Sequence, residues 1–225
     1  MLNHGEMDFL YKSLPFFPKL GEDDLRMIAA TAFRSVCLSG EIILSKEKEC
    51  KGLIIIKRGQ LRALYGLEDG REITLYRLLP RDVCILTASC VLKNIYFEII
   101  LEVEKDSEIF FIPPITWRKL SEESAAVKEF SLSLVSERLS EIIWVMDQMI
   151  SKNMEQRIAS FLLEQSVLEN SERLFLTHDT IARNVGTVRE AISRTLKYME
   201  NDGLLKLSRG QIQLTNMNKL KEIGR

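Results

Sequence analysis

The stretch from Leu176 to Lys197, LTHDTIARNVGTVREAISRTLK, constrains this chain more than any other. It reads as two short helices joined by a tight turn. Thr177 stands as the N-cap of the first, whose Ile181, Ala182 and Val185 fall on one face at helical spacing. Gly186 interrupts the pattern, where a residue without a Cβ takes the left-handed conformation that such a turn needs. Thr187 is expected to cap a second helix, with Val188, Ala191, Ile192, Thr195 and Leu196 inward. Arg189, Glu190, Ser193, Arg194 and Lys197 then lie outward. Small Ala182 and the glycine permit a close crossing, the arrangement of a helix-turn-helix.

Beyond Lys197 the chain reads YMENDGLLKLSRGQIQL. Gly203 ends the helix, and two short β-patterned runs flank a Ser208-Arg209-Gly210 turn. That hairpin is a wing, so the motif is a winged helix-turn-helix. Charges on an exposed helix face are commonly only solvated. Beside a turn and a wing, however, they acquire a use, because such a second helix can lie in a DNA major groove. Arginine grips guanine bidentately, glutamate accepts from the cytosine amino group, and serine bonds to several bases. Arg189 and Arg194 are therefore expected on guanines, Glu190 on a cytosine and Ser193 on a neighbouring base. Thr177, His178, Thr187, Lys197 and Arg209 are expected on phosphates, which set position but not sequence.

These residues carry a resemblance. The recognition helix of the CRP/FNR family of bacterial transcription regulators has an R-E-x-x-x-R or an E-x-x-S-R pattern, and Arg189-Glu190-Ala191-Ile192-Ser193-Arg194 satisfies both. Arg157-Ile158-Ala159-Ser160-Phe161-Leu162-Leu163 is similar to the family's R-x-A-x-x-L-L segment, and the layout around Pro15-Phe16-Phe17 is similar to its opening. The resemblance implies an α+β chain in three parts. Residues 1–113 would be an antiparallel β-roll sensor domain with N-terminal helices, a double-stranded β-helix like the cyclic-nucleotide-binding domains. Residues 114–151 would form a long dimerisation helix and hinge, and residues 152–225 the winged helix-turn-helix with its recognition helix at 187–198.

The β-roll expectation has its own support in the residues. Strand patterns occur at Glu41–Leu44, Gly52–Lys57, Gln60–Tyr65, Glu72–Leu78, Phe97–Glu102 and Ser107–Ile112. Turns are expected at Ser39-Gly40, Arg58-Gly59, Pro80-Arg81-Asp82 and Glu68-Asp69-Gly70-Arg71, the Asp-Gly of the last being a strong hairpin cue. Many short strands at such spacing point to a barrel or jelly roll.

Family members that bind a cyclic nucleotide carry F-G-E followed by an arginine and a small hydroxyl residue. The equivalent stretch here is RDVCILTASCVL from Arg81 to Leu92, which lacks the glycine, the glutamate and the arginine. The sequence therefore argues against a cyclic nucleotide, since fold does not confer ligand identity. All four cysteines, Cys37, Cys50, Cys84 and Cys90, lie in this half. The family's iron–sulfur sensor clusters its cysteines near the N-terminus, whereas here no cysteine precedes Cys37 and no C-x-x-C occurs. The blandest reading makes the cysteines small buried hydrophobes. Cys84, Thr87, Ser89 and Cys90 remain the candidates for an effector or thiol redox site. Haem, with a Cys or Met ligand, and an iron–sulfur centre stay open as weaker alternatives, and no other metal ligand set is expected. Trp117 and Trp144 are most simply core.

From Pro114 to Ser151 the pattern is helical. Leu132, Val135, Leu139, Ile142, Met146 and Met149 repeat at alternating spacings of three and four, the mark of a coiled-coil seam or of a helix packed on its own β-domain, and the family resemblance implies a parallel homodimer through it. Phe130, Leu134, Ile143 and Ile150 form a second apolar flank for the β-roll. A hinge is expected at Ser151–Met154. A helix over Glu155–Asn170 follows, with Ile158, Phe161, Leu162 and Val167 inward, and the polar tail after Leu214 packs Leu220.

Composition excludes more than it identifies. The 225 residues carry a net charge of -1, so the chain is no basic nucleic-acid binder as a whole. From Ile150 onward there are 12 Lys/Arg against 9 Asp/Glu, leaving 19 against 23 before it. A mildly basic half thus follows an acidic one. No signal peptide is visible, and no apolar run reaches the roughly 20 residues of a membrane span, so cytoplasm is expected and a membrane partner is not. Two histidines without an acid–base partner motif, and no nucleophile or phosphate loop, argue against an enzyme. The reading is a homodimeric transcription regulator on palindromic double-stranded DNA, tuned by an unknown small-molecule effector, with RNA polymerase as a partner if it activates. The alternative is a ligand- or redox-sensing signalling module whose C-terminal domain binds a protein.

Overall fold

A computed structural model of the chain describes residues 1–45, 52–84 and 99–224. The chain is α+β and divides into two compact units, one of residues Met1–Leu64 and Leu75–Ile142, the other of Tyr65–Thr74 and Ile143–Arg225.

The first unit opens with helices α1 (His4–Ser13) and α2 (Glu22–Thr31), separated by a 3-10 turn at Phe17–Lys19 where Pro15 and Pro18 forbid a continuous helix. Asn3 caps α1 through a box with Glu6. The sheet that follows holds β1 (Phe33–Cys37), β2 (Ile42–Leu44), β3 (Leu53–Gly66), β4 (Glu72–Leu78), β5 (Val83–Cys84) and β6 (Ile99–Ile112). Its order is β1-β6-β3-β4, with β2 also on β6 and β5 on β3. The pairings of β1 and β2 with β6, and of β5 with β3, are antiparallel.

One expected turn, Arg58-Gly59, is not a reversal. Gly52–Lys57 and Gln60–Tyr65 belong to one strand, β3, and the run through Ser107 belongs to β6. At Gly59 the backbone takes φ 96°, so the strand kinks without reversing. A Cβ there would collide with the backbone of Asp106 and Ser107 on β6, and the amide of Gln60 donates to Ser107 Oγ at 3.0 Å. The Arg58-Gly59 signal was genuine glycine chemistry, serving a close approach of two long strands instead of a hairpin.

Both faces of β3 are buried. Leu53 and Ile55 join Leu10, Phe17, Phe110 and Trp117 under the helices, while Ile54 and Ile56 join Val103, Ile109 and Phe111 inside the roll. Buried charge is paired: Arg77 grips Glu104 at 2.8 and 3.2 Å, Gln60 donates to the same carboxylate at 2.6 Å, and Arg62 reaches Glu102 at 3.5 Å. Burial pushes the Glu104 carboxyl up, but the hydrogen bonds from Arg77 and Gln60 outweigh it and leave the group below the usual carboxylate range.

Helix α3 (Pro114–Glu123) ends at Ser124, and α4 (Ala125–Ser151) runs for 27 residues. Phe130, Leu134 and Val135 of α4 pack on the first unit's core. Arg138 is buried against the Tyr76 ring at 4.8 Å and donates to Glu141 at 2.6 Å. Ile143 and Ile150, expected to complete that flank, are exposed instead, as is Trp144. Among the described residues no helix is long and apolar enough to cross a membrane.

The second unit contains α5 (Met154–Leu168), β7 (Arg173–Leu174), α6 (His178–Val185), α7 (Arg189–Asn201), β8 (Leu205–Ser208), β9 (Gln211–Leu214) and α8 (Met217–Ile223). Asn153 breaks α4 from α5 with a capping box to Gln156. Ile158, Phe161 and Leu162 are buried as expected, but Val167 is exposed, since the buried stripe of the helix continues through Gln165 and Ser166 and Val167 falls beside it. Leu220 of α8 is fully buried. The strand order is β7-β9-β8, so the wing carries a third strand that two residues were too few to announce.

Candidate nucleic-acid interface

Helix α6 is built as its residues dictate. Thr177 Oγ1 accepts the amide of Thr180 at 3.0 Å, satisfying one of the amides a helix start leaves open. Ile181, Ala182 and Val185 are buried. Gly186 takes φ 76°, and the amides of Gly186 and Thr187 both donate to Ala182 O, at 3.0 and 3.1 Å. A Cβ on Gly186 would lie 2.8 Å from Ile73 Cγ1. Ile73 sits there because the hairpin tip Tyr65–Thr74 packs within this unit, bridging Val185, while Glu72 pairs with Arg183 at 2.9 Å and Thr74 donates to Asn184 at 2.6 Å. The tip was legible as a turn, but nothing in its local pattern signals this distant partner.

Helix α7 starts one residue later than expected. Its N-cap is Val188, which has no side-chain cap, and Thr187 stands outside the helix. The Thr187 amide instead closes the α6 turn on Ala182. Val188, expected inward, is exposed in consequence. The inner face is Ile192, Leu196 and Met199, all fully buried. The outer face brings together the expected base readers: Arg189, Glu190 and Arg194 are exposed and Ser193 is half-buried.

Their partners differ. Arg194 and Glu190 have no ion pair among the described residues. Arg189 Nη1 lies 3.2 Å from Asp179 Oδ2, both side chains being mostly exposed, so the pair is weak and exchangeable. Ser193 Oγ lies 2.8 Å from His178 Nδ1 and 3.0 Å from the Arg189 carbonyl. Asp179 and the His178–Ser193 contact were missed by sequence reasoning, which placed His178 on a phosphate. A side chain at the start of one helix reaching fifteen residues on has no local signature.

Lys197 pairs with Glu200 at 2.7 Å, and Glu200 also accepts the Leu207 amide at 2.8 Å, tying α7 to the wing. The Lys197 hydrogen bond, then the Leu207 amide, hold the Glu200 carboxyl below its ordinary range. In the wing, β8 and β9 pair from Leu205↔Leu214 to Ser208↔Gln211, leaving Arg209 and Gly210 exposed at the tip with Gly210 at φ 70°. The arrangement offers a helix with one face anchored and the other bearing arginines, a carboxylate and a hydroxyl, beside a cationic loop tip. That is the equipment for a groove and its flanking phosphates.

The other sequence candidates lie apart from this surface. Leu132, Leu139, Met146 and Met149 are exposed on α4, Ile142 is half-buried, and Val135 leans on the first unit's core. Cys84 is buried at 1% exposure, while Thr87, Ser89 and Cys90 lie outside the described residues.

Residues 156–223 match the profile of the Crp-like helix-turn-helix domain. A solved transcriptional regulator of the CRP/FNR family from Eubacterium rectale is 36% identical, over 95% of this chain and 99% of that one, with a TM-score of 0.92. The transcriptional regulator SdrP of Thermus thermophilus is 30% identical over 96 residues, 40% of this chain and 48% of that protein, so the match spans about half that relative's length. The HTH-type transcriptional regulator Cmr of Mycobacterium tuberculosis is 22% identical over 207 residues, 90% of this chain and 80% of that protein.

Proposed function

The chain belongs to the CRP/FNR family of transcription regulators, and from that premise we propose that it is a homodimeric, sequence-specific DNA-binding regulator reading a palindromic operator with α7. The observation that carries the reading is the anchored inner face of α7 beneath exposed Arg189, Glu190 and Arg194. On this reading Arg189 and Arg194 contact guanines, Glu190 a cytosine, and Ser193 a neighbouring base. Thr177, His178, Thr187, Lys197 and Arg209 hold phosphates. The division of labour is sensing by residues 1–113, dimerisation by 114–151 and DNA reading by 152–225.

The exposed Leu132, Leu139, Met146 and Met149 on α4 support a partner helix, with Ile142 beside them. A second copy of the same chain brings the same apolar row. The dimer places its two reading helices on half-sites about 34 Å apart. It works in the cytoplasm, with RNA polymerase as a further partner should it activate, and no chemistry is assigned to it. Burial of Cys84 favours a packing role over a reactive thiol. A signalling module that binds protein through this domain is not favoured, since the named relatives are transcription regulators.

The test is selection of duplexes from a library with a randomised core, using the purified full-length protein. Enrichment of a palindrome with half-sites one helical turn apart is expected. No enrichment, or a single unpaired half-site bound by a monomer, would overturn the proposal.

A further inference from the structure

We propose that His178 sets part of the operator's sequence by making the Ser193 hydroxyl an obligate hydrogen-bond acceptor. The proposal rests on the reading of α7 as the base-contacting helix and deepens it. A serine hydroxyl has one proton and two lone pairs. Ser193 Oγ touches two groups: the Arg189 carbonyl one turn earlier, at 3.0 Å, and His178 Nδ1, at 2.8 Å. A carbonyl oxygen only accepts, so the hydroxyl proton goes to Arg189 O. The imidazole must then donate. Both contacts are hydrogen bonds together only when Nδ1 carries the hydrogen, which fixes the neutral ring as the Nδ1–H tautomer. A doubly protonated ring makes the same bond.

The Ser193 proton is thus spent and one lone pair is occupied, leaving a single lone pair on a half-buried hydroxyl. Such a group can receive a hydrogen bond from DNA but cannot give one. In the major groove the base groups that donate are the adenine N6 and cytosine N4 amines, whereas guanine O6 and N7 and thymine O4 accept. The base facing Ser193 is therefore adenine or cytosine. An unrestrained serine would serve either class. His178 is accordingly a positioning residue acting through Ser193. Only the doubly protonated ring also carries an Nε2–H that a phosphate could accept, so the two roles have to be separated experimentally.

The first measurement is long-range 1H–15N correlation NMR on the full-length protein without DNA. The chain has two histidines, so loss of one signal set in His178→Asn assigns the other to His4. The Nδ1–H pattern is expected for neutral His178, and an Nε2–H pattern overturns the proposal. The second is competition binding with the selected operator and single-position variants carrying each of the four bases. One position per half-site should prefer adenine or cytosine over guanine and thymine by about tenfold. Ser193→Ala should abolish that preference, and His178→Ala should flatten it while discrimination elsewhere persists. His178→Asn, whose amide nitrogen takes the place of Nδ1, should restore it. A loss with His178→Ala that is equal at every position overturns this proposal alone and leaves DNA reading standing, because a phosphate contact behaves that way. A protein that prefers no duplex overturns both.

Discussion

At Gly186 the left-handed backbone and the nearby Ile73 side chain meet in one residue. Gly186→Ala adds strain at φ 76° and a Cβ 2.8 Å from Ile73 Cγ1. It should destabilise the second unit by about 1–3 kcal/mol, seen as a lower Tm with the fold retained. An unchanged Tm would mean that the turn relaxes freely. Arg194 and Arg209 separate the two kinds of DNA contact. Arg194→Ala should cost about 1–3 kcal/mol on the selected operator and relax one base position, while Arg209→Ala weakens all sequences alike. Equal loss on specific and scrambled DNA for Arg194→Ala would contradict its assignment. At this scale much was legible in the residues. Thr177 and Gly186 do what their types require, because caps and left-handed turns are decided within a few residues. Thr187 does not, because the helix begins one residue later and Val188 takes the cap position.

Among the elements, α4 and the β3–β6 pair repay comparison. The α4 repeat was readable, but which of its apolar residues face the β-roll was not: Leu134 is buried and Ile143 exposed on the same helix. A helix that serves two partners can carry both apolar flanks along its whole length, and only packing says where each contact stops. Leu139→Lys should therefore leave the circular dichroism of the protein intact and shift its sedimentation to a monomer, whereas a retained dimer would place the interface elsewhere. In the sheet, the kink at Gly59 was mistaken for a reversal, since φ > 0 marks a hairpin and a strand crossing alike.

The Glu104 network on those strands carries a pH prediction. Its folded pKa lies below the ordinary value, so the folded state binds fewer protons. The stability it contributes is present above the unfolded pKa of about 4.3 and is lost as pH falls through the depressed folded value. Denaturation midpoints should fall over that acid window, and the fall should shrink in Arg77→Ala. An unaltered acid limb in that variant would remove Glu104 from the account.

Taken whole, the molecule was most legible where its chemistry is local. The helix-turn-helix, the wing and the strand-rich half follow from short-range patterns, and likeness to the regulator from Eubacterium rectale extends over 95% of the chain. What stayed hidden is long-range: the hairpin tip beside α6, the third strand of the wing, and the bond from His178 to Ser193. The net charge of -1 was little guide, because a DNA-binding face needs only a local excess of cations. The measurement that tests the central claim most directly is an equilibrium titration of the untagged full-length protein on its selected operator and on a scrambled duplex, at two salt concentrations. Binding should be tighter to the operator at both salts, by at least about a thousandfold, with affinity for both duplexes falling as salt rises. Equal affinity for the two duplexes, or binding insensitive to salt, would contradict it.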